Sequence, residues 1–142
     1  MILIADSGAT KTDWCLGEKT TDARVIQTQG INPFHQSAEH IYKVLTEELL
    51  PQLGEENHIT HIHFYGAGCT PEKSVIVKEQ LQALFLDADI DVQSDLLGAA
   101  RSLCGKEQGI ACILGTGSNS CLYDGEKIIA NVSPLGYILG DE

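Results

Sequence analysis

The sequence predicts an α/β fold: a mixed β-sheet with flanking helices, followed by the opening strands of a second sheet. Three observations carry that reading. Three short strand-like segments joined by turns open the chain, helical and strand patterns then alternate, and the opening strand–turn–strand pattern returns near residue 110. At 142 residues the chain fits one domain plus part of another, and a chain of this size buries roughly two-thirds of its unfolded surface.

The first strand, Ile2 to Ile4, reads as buried and runs into Ala5-Asp6-Ser7-Gly8-Ala9-Thr10-Lys11-Thr12-Asp13-Trp14, and Asp13 to Leu16 read as the returning strand of a hairpin. The hairpin tip has the make-up of a phosphate cradle. Gly8 lets backbone amides approach a ligand, Thr10 and Thr12 add hydroxyls, Lys11 adds a positive charge and Asp6 a carboxylate able to hold Mg2+. An ordinary hairpin turn accounts for the same residue types. Lys11-Thr12 is not a Walker loop, because Thr10 stands where that loop requires glycine.

A third strand, Arg24 to Thr28, closes at Gly30 and completes a meander. Ser37 is placed as an N-cap, and Ile41, Val44, Leu45 and Leu49 recur at helical spacing until Pro51 and Gly54 stop the helix. Thr60 to Tyr65 form the next strand. The Gly66-Ala67-Gly68 that follows is a tight turn and not a dinucleotide fingerprint, since Pro71 replaces the third glycine. Thr70 caps a helix with Pro71 at its first position, striped by Val77, Leu81, Leu84 and Phe85. Strand Ile90 to Gln93 delivers Ser94-Asp95, and Leu96 to Cys104 form a helix ended by Gly105. Asp95 stands where a helix N-cap is expected, and its carboxylate is equally the kind a general base requires.

This order of three strands, helix, strand, helix, strand, helix is the order of a ribonuclease-H-like domain, closing near residue 106. Residues 107–142 begin the pattern again: strand Ile110 to Leu114, turn Gly115-Thr116-Gly117, strand Ser118 to Tyr123, turn Asp124-Gly125 and strand Lys127 to Val132. They read as an incomplete second domain. Its uncovered strands favour self-association, with a homodimer as one form.

Composition narrows the partners. With 20 acidic against 9 basic residues the formal charge is −11, and the scattered Lys and Arg argue against nucleic acid. The five cysteines, odd in number and widely spaced, read as reduced core thiols, Cys112 included. The chain shows no leader and no apolar window of membrane-spanning length, so a soluble, cytoplasmic protein without a membrane partner is expected. His61 and His63 share one strand face near His58, but no acidic or thiol ligand completes a metal site locally in the sequence.

Asp6 to Thr12, Asp95 in Ser94-Asp95-Leu96-Leu97-Gly98-Ala99-Ala100, Gly115-Thr116-Gly117-Ser118-Asn119 and Gly136-Tyr137-Ile138-Leu139-Gly140-Asp141-Glu142 occur in that order. Together they resemble the N-acetylglucosamine kinase branch of the BadF/BadG/BcrA/BcrD ATPases, within the actin-like ATPase and sugar kinase superfamily. The resemblance implies a pair of ribonuclease-H-like domains and ATP-dependent phosphorylation of an amino sugar, N-acetylglucosamine to its 6-phosphate, with ATP and Mg2+. It implies that Gly8, Thr10, Lys11 and Thr12 hold phosphate, that Asp6 holds the metal, and that Gly115, Thr116 and Gly117 form a second phosphate loop. It assigns the proton-accepting role to Asp95, and sugar contacts to Asn32, Asp95, Thr116, Gly117, Ser118 and Asp141. Two alternatives stand beside it. Cys112 before the Gly-Thr-Gly turn also resembles iron–sulfur ATPases that activate dehydratases, and the chain would be inactive if it is only a fragment of the kinase.

Overall fold

The computed structural model describes residues 1–54 and 58–132. They form two compact units that divide between Asp95 and Leu96.

The first unit is built on a sheet of five strands: β1 (Ile2–Ser7), β2 (Lys11–Gly17), β3 (Arg24–Gln29), β4 (His61–Gly66) and β5 (Asp89–Ser94), in spatial order β3-β2-β1-β4-β5. The meander β1-β2-β3 is antiparallel, and β4 and β5 join parallel to β1. That is the ribonuclease-H-like arrangement expected from the element order. Strict alternation in β1 and β2 sends Leu3, Ala5, Ser7, Thr12, Trp14 and Leu16 inward and Asp6, Lys11 and Asp13 outward.

The inward face packs on two longer helical segments. The first is α1 (Ala38–Val44), which continues through a π-helical stretch, Leu45–Leu49, into a last turn, α2 (Leu50–Leu53). Ser37 caps it by accepting the His40 N–H at 3.2 Å. Pro51 does not stop this helix as the sequence suggested. The widened turn, in which the Leu50 N–H reaches back to the Leu45 carbonyl, changes the hydrogen-bond register just before the residue that has no N–H to give. Gly54, at φ 80°, ends it instead. The second helix, α3 (Pro71–Leu84), is capped by Thr70, which accepts the Lys73 N–H, and buries Val77 and Leu81. Trp14 anchors the core. Its Nε1–H donates to Thr28 Oγ1 at 3.0 Å, and its ring centre lies 5.7 Å from that of Phe64.

Among the described residues the second unit holds helix α4 (Asp95–Cys104), whose Leu96 and Ala100 are buried with Ala111, Cys121 and Tyr123 of the sheet β6 (Gly109–Leu114), β7 (Ser118–Tyr123) and β8 (Ile128–Val132). A boundary at 106 falls after α4, whereas packing groups all of α4 beyond its first residue with the strands that follow. The Asp124-Gly125 turn is held by the Asp124 carboxylate, which accepts the N–H groups of Glu126 and Lys127 at 2.9 and 2.8 Å. Among the described residues no helix is long and apolar enough to cross a membrane.

A row of hydroxyls ties the first sheet together where β1 ends. Ser7 and Thr12, paired across β1 and β2, are fully buried, and Ser7 Oγ lies 2.6 Å from Thr12 Oγ1. Ser7 Oγ also accepts the Ile31 N–H at 3.0 Å and lies 2.9 Å from the Ile31 carbonyl, while Thr12 Oγ1 donates to the Gln29 carbonyl at 3.1 Å. Removing one buried partner exposes the others to an unmet desolvation cost, so Ser7→Ala destabilises the first unit by about 1–3 kcal/mol. Urea unfolding followed by the fluorescence of Trp14, the single tryptophan, checks this; an unchanged midpoint contradicts it.

Candidate active site

The parallel strands β1, β4 and β5 finish in register, with Ser7 opposite Gly66 and Gly66 opposite Ser94. Each strand therefore hands its next residue to the same edge of the sheet. Neighbouring strands lie about 4.8 Å apart, so Gly8 and Asp95, which follow the first and last of the three, start roughly 10 Å from each other. The carboxyl edge of such a sheet, where chains leave toward loops, is where α/β folds place ligands.

The loops on that edge touch one after another. At the hairpin tip the Gly8 N–H bonds the Lys11 carbonyl at 2.9 Å, and the Gly30 N–H bonds the Thr10 carbonyl at 3.0 Å. A Cβ on Gly30 would lie 2.5 Å from the Gly8 carbonyl oxygen and 2.7 Å from that of Ala9. Only glycine lets the β3 exit lie so close to the hairpin. Ile31 follows, held by Ser7, and then Asn32, which is half-buried. Its Oδ1 accepts the Phe34 N–H at 2.9 Å, and its carbonyl accepts the N–H groups of His35 and Gln36 at 3.2 and 3.0 Å. The loop after β4 lies against it: Gly68 has φ +74°, and a Cβ there would collide with Asn32 Oδ1 and meet Phe34 Cβ at 3.0 Å. Ala67 extends the ladder by donating its N–H to the Ser7 carbonyl at 2.8 Å. Cys69 is buried beside this turn, close enough to Asp95 to feel its charge. Hairpin, Asn32 loop, Gly66–Thr70 turn and Asp95 thus form one continuous rim.

Charge on the rim is arranged by the hairpin's outward face. Asp6 and Asp13 stand directly opposite each other. Lys11 Nζ lies 2.7 Å from the Asp13 carboxylate, which also accepts from Gln27 Nε2 at 2.7 Å. The Gln27 hydrogen bond, followed by that from Lys11, holds the Asp13 carboxyl below the usual carboxylate range. Asp6 has no hydrogen-bond or ion-pair partner among the described residues. Mg2+ characteristically binds through one or two carboxylates and fills its remaining positions with water and phosphate oxygens. An exposed carboxylate beside a glycine-containing hairpin fits that donor set. Among the described residues no three His, Cys, Asp or Glu side chains gather as a metal site, although His63 Nδ1 lies 4.0 Å from Asp91.

In the second unit, Gly115 to Gly117 join β6 to β7 in an exposed turn closed by the Gly115 N–H on the Gly117 carbonyl at 3.0 Å, and half-buried Ser118 opens β7. Asp141 lies outside the described residues. Cys112 is exposed and not a core thiol. Its pairing with Ser120 puts it on the sheet face opposite buried Ala111 and Cys121.

A Porphyromonas gingivalis protein provisionally named an N-acetylglucosamine kinase has a crystal structure that matches all of this chain at 56% identity and a TM-score of 0.94. The ethanolamine utilization protein EutJ of Carboxydothermus hydrogenoformans matches 95% of the chain at a TM-score of 0.64 with 11% identity, a likeness of fold alone. This chain has the actin-like ATPase fold. It spans 51% of the Porphyromonas gingivalis protein's length and 52% of EutJ's. No family model and no curated protein matches the chain. In the actin-like frame the rim just described is the carboxyl edge of the first ribonuclease-H-like sheet. Gly30 and Gly68, which set the loop approaches on that edge, carry no site signature in the sequence beyond being glycines two residues before Asn32 and in the turn after β4.

Burial, reinforced by the negative charge of Asp95, pushes the Cys69 thiol up to about 12 from its ordinary 9.0. The folded state therefore favours the neutral thiol. Its stabilising contribution is complete below the unfolded thiol's value near 9.0 and is lost as pH rises toward about 12. At about pH 8 an alkylating reagent should modify exposed Cys112 quickly and Cys69 only after unfolding. Mass spectrometry of the labelled peptides decides it, and rapid native labelling of Cys69 would contradict the assignment.

Proposed function

We propose that the protein carrying this chain transfers the γ-phosphoryl group of ATP to a hydroxyl of an amino sugar, N-acetylglucosamine at its 6-position. The observation that carries the reading is the shared edge of β1 and β5, which brings a glycine-containing phosphate hairpin and the Asp95 carboxylate onto one rim. The 56% identity to a protein provisionally named for that activity supports the substrate class.

Phosphoryl transfer asks little covalent chemistry of a protein and much positioning. Backbone amides of Ala9 and Thr10, with the Thr10 hydroxyl, hold phosphate oxygens, while the Gly8 N–H closes the turn on the Lys11 carbonyl. Lys11 can leave Asp13 for the phosphates at small cost, since an exposed ion pair is worth only about 0–1 kcal/mol. Asp6 would hold Mg2+, which neutralises charge on the transferring group. Asn32 orients the sugar. Its Oδ1 is occupied by the Phe34 N–H, leaving the amide hydrogens to donate to sugar oxygens. Asp95 accepts the proton of the attacking hydroxyl as its oxygen bonds the γ-phosphorus and the bond to the β-phosphate oxygen breaks, releasing ADP. Gly115, Thr116, Gly117 and Ser118 are proposed to serve phosphate and sugar, and Asp141 the sugar, on the motif resemblance.

In the complete protein, Asp95→Asn keeps shape and hydrogen bonding but removes the base, so kcat for N-acetylglucosamine should fall by about 10²–10⁴-fold with the thermal midpoint preserved. Coupled ADP release measures it. Near-normal turnover by a folded Asp95→Asn variant would remove Asp95 from this role.

A further inference from the structure

Phe34 is a large apolar side chain on the rim that the reaction above leaves without a task. It is 61% exposed, although a single exposed apolar ring is common enough on protein surfaces to need no explanation. Its setting is what distinguishes it. The backbone that carries it is fixed at three points: its own N–H is held by Asn32 Oδ1, and the N–H groups of the next two residues by the Asn32 carbonyl. A Cβ on Gly68 would collide with Asn32 Oδ1 and meet Phe34 Cβ at 3.0 Å, so the missing side chain of that glycine gives both Asn32 and Phe34 their room. The ring is braced by that of His35 in a T-shaped contact, with centres 5.2 Å apart and planes at 78°. A fixed loop therefore presents a braced aromatic ring to solvent beside the amide that meets the sugar.

We propose that Phe34 is a specificity-determining residue whose ring forms an apolar platform for the C–H face of the pyranose oriented by Asn32. The inference rests on the amino-sugar reading above and adds the contact that discriminates a pyranose from smaller hydroxyl substrates. A sugar ring has one side rich in axial C–H bonds, carrying slight positive charge. The face of an aromatic ring is its negative part and attracts that side. Ligand sites pair a few fixed polar groups with such apolar walls, the polar groups setting orientation and the walls excluding water. Asn32 and Phe34, bonded to each other through Oδ1 and N–H, supply one of each from adjoining positions of one turn.

The test is a kinetic comparison in the complete protein of the wild type, Phe34→Ala and Phe34→Trp, with N-acetylglucosamine and with ATP as the varied substrate. Phe34→Ala should raise the sugar KM about tenfold, the size expected for losing one aromatic contact, while the ATP KM stays within about twofold. Phe34→Trp, which restores a ring face, should recover most of the loss. A sugar KM unchanged in Phe34→Ala overturns the inference and leaves the kinase reading intact. So does an equal rise in the KM for sugar and ATP, which marks a structural role. A wild-type protein that phosphorylates no amino sugar overturns the kinase reading itself, and this inference with it.

Discussion

The buried hydroxyl of Ser7 is the contact on which the site depends. It sits at the last position of β1, inside the sheet, and has partners in three directions: Thr12 across the hairpin, and both backbone groups of Ile31 beyond β3. Each hydroxyl has one proton to give. An order that uses both runs from the Ile31 N–H to Ser7, from Ser7 to Thr12, and from Thr12 to the Gln29 carbonyl. That relay fixes the hairpin base against the β3 exit, so the tip at Gly8 to Thr10 and the turn at Asn32 move as one body. A low-dielectric interior makes such a chain stiff, because every alternative leaves a polar group buried without a partner.

Stiffness matters more here than it would in a basic protein. The chain carries a formal charge of −11, so its overall field repels a nucleotide. Binding a polyphosphate then requires local partial charges that are already aimed, and backbone amides held by a rigid hairpin are the cheapest source of them. Gly30 serves the same end by different means. The absence of a side chain there allows two backbones to lie in contact, which no hydrogen bond could achieve past a Cβ. Polar network and missing side chain act on the same two loops.

Most of the first sheet was legible in the sequence. The opening hairpin strands, the Ser37 and Thr70 caps, and Gly105 after α4 each follow from local chemistry, and the structure bears them out, except that the apolar run Ile2 to Ile4 reads as buried while Ile2 and Ile4 face outward around buried Leu3. The departures have physical causes. Pro51 is a helix breaker only if the preceding turns keep α-helical bonding, and a π-helical stretch is a cooperative feature no single residue announces. The exposure of Cys112 turns on strand register, since one position either side would have faced inward. At the rim, residue types could be read from the sequence, but adjacency could not. Asn32 and Gly68 are separated by a helical segment and a strand, and only the return of β4 parallel to β1 brings them together.

The opposed carboxylates of Asp6 and Asp13 show how the hairpin is poised. Like charges directly across a strand pair destabilise it, and here the strain is relieved on one side only, through Lys11 and Gln27 on Asp13. Asp6 is left as an exposed anion at the mouth of an amide-lined turn. If Lys11 turns away toward a phosphate, Asp13 loses its cation and the pair repels more strongly, unless a second cation arrives with the phosphate. On the proposed roles of Lys11 and Asp6, phosphate capture by the lysine and cation capture by the carboxylates would be coupled through one short strand pair, each raising the affinity of the hairpin for the other. Such coupling would suit an acidic chain with a single hairpin lysine, because a hairpin of this make-up would then favour a metal–phosphate complex over either ion alone.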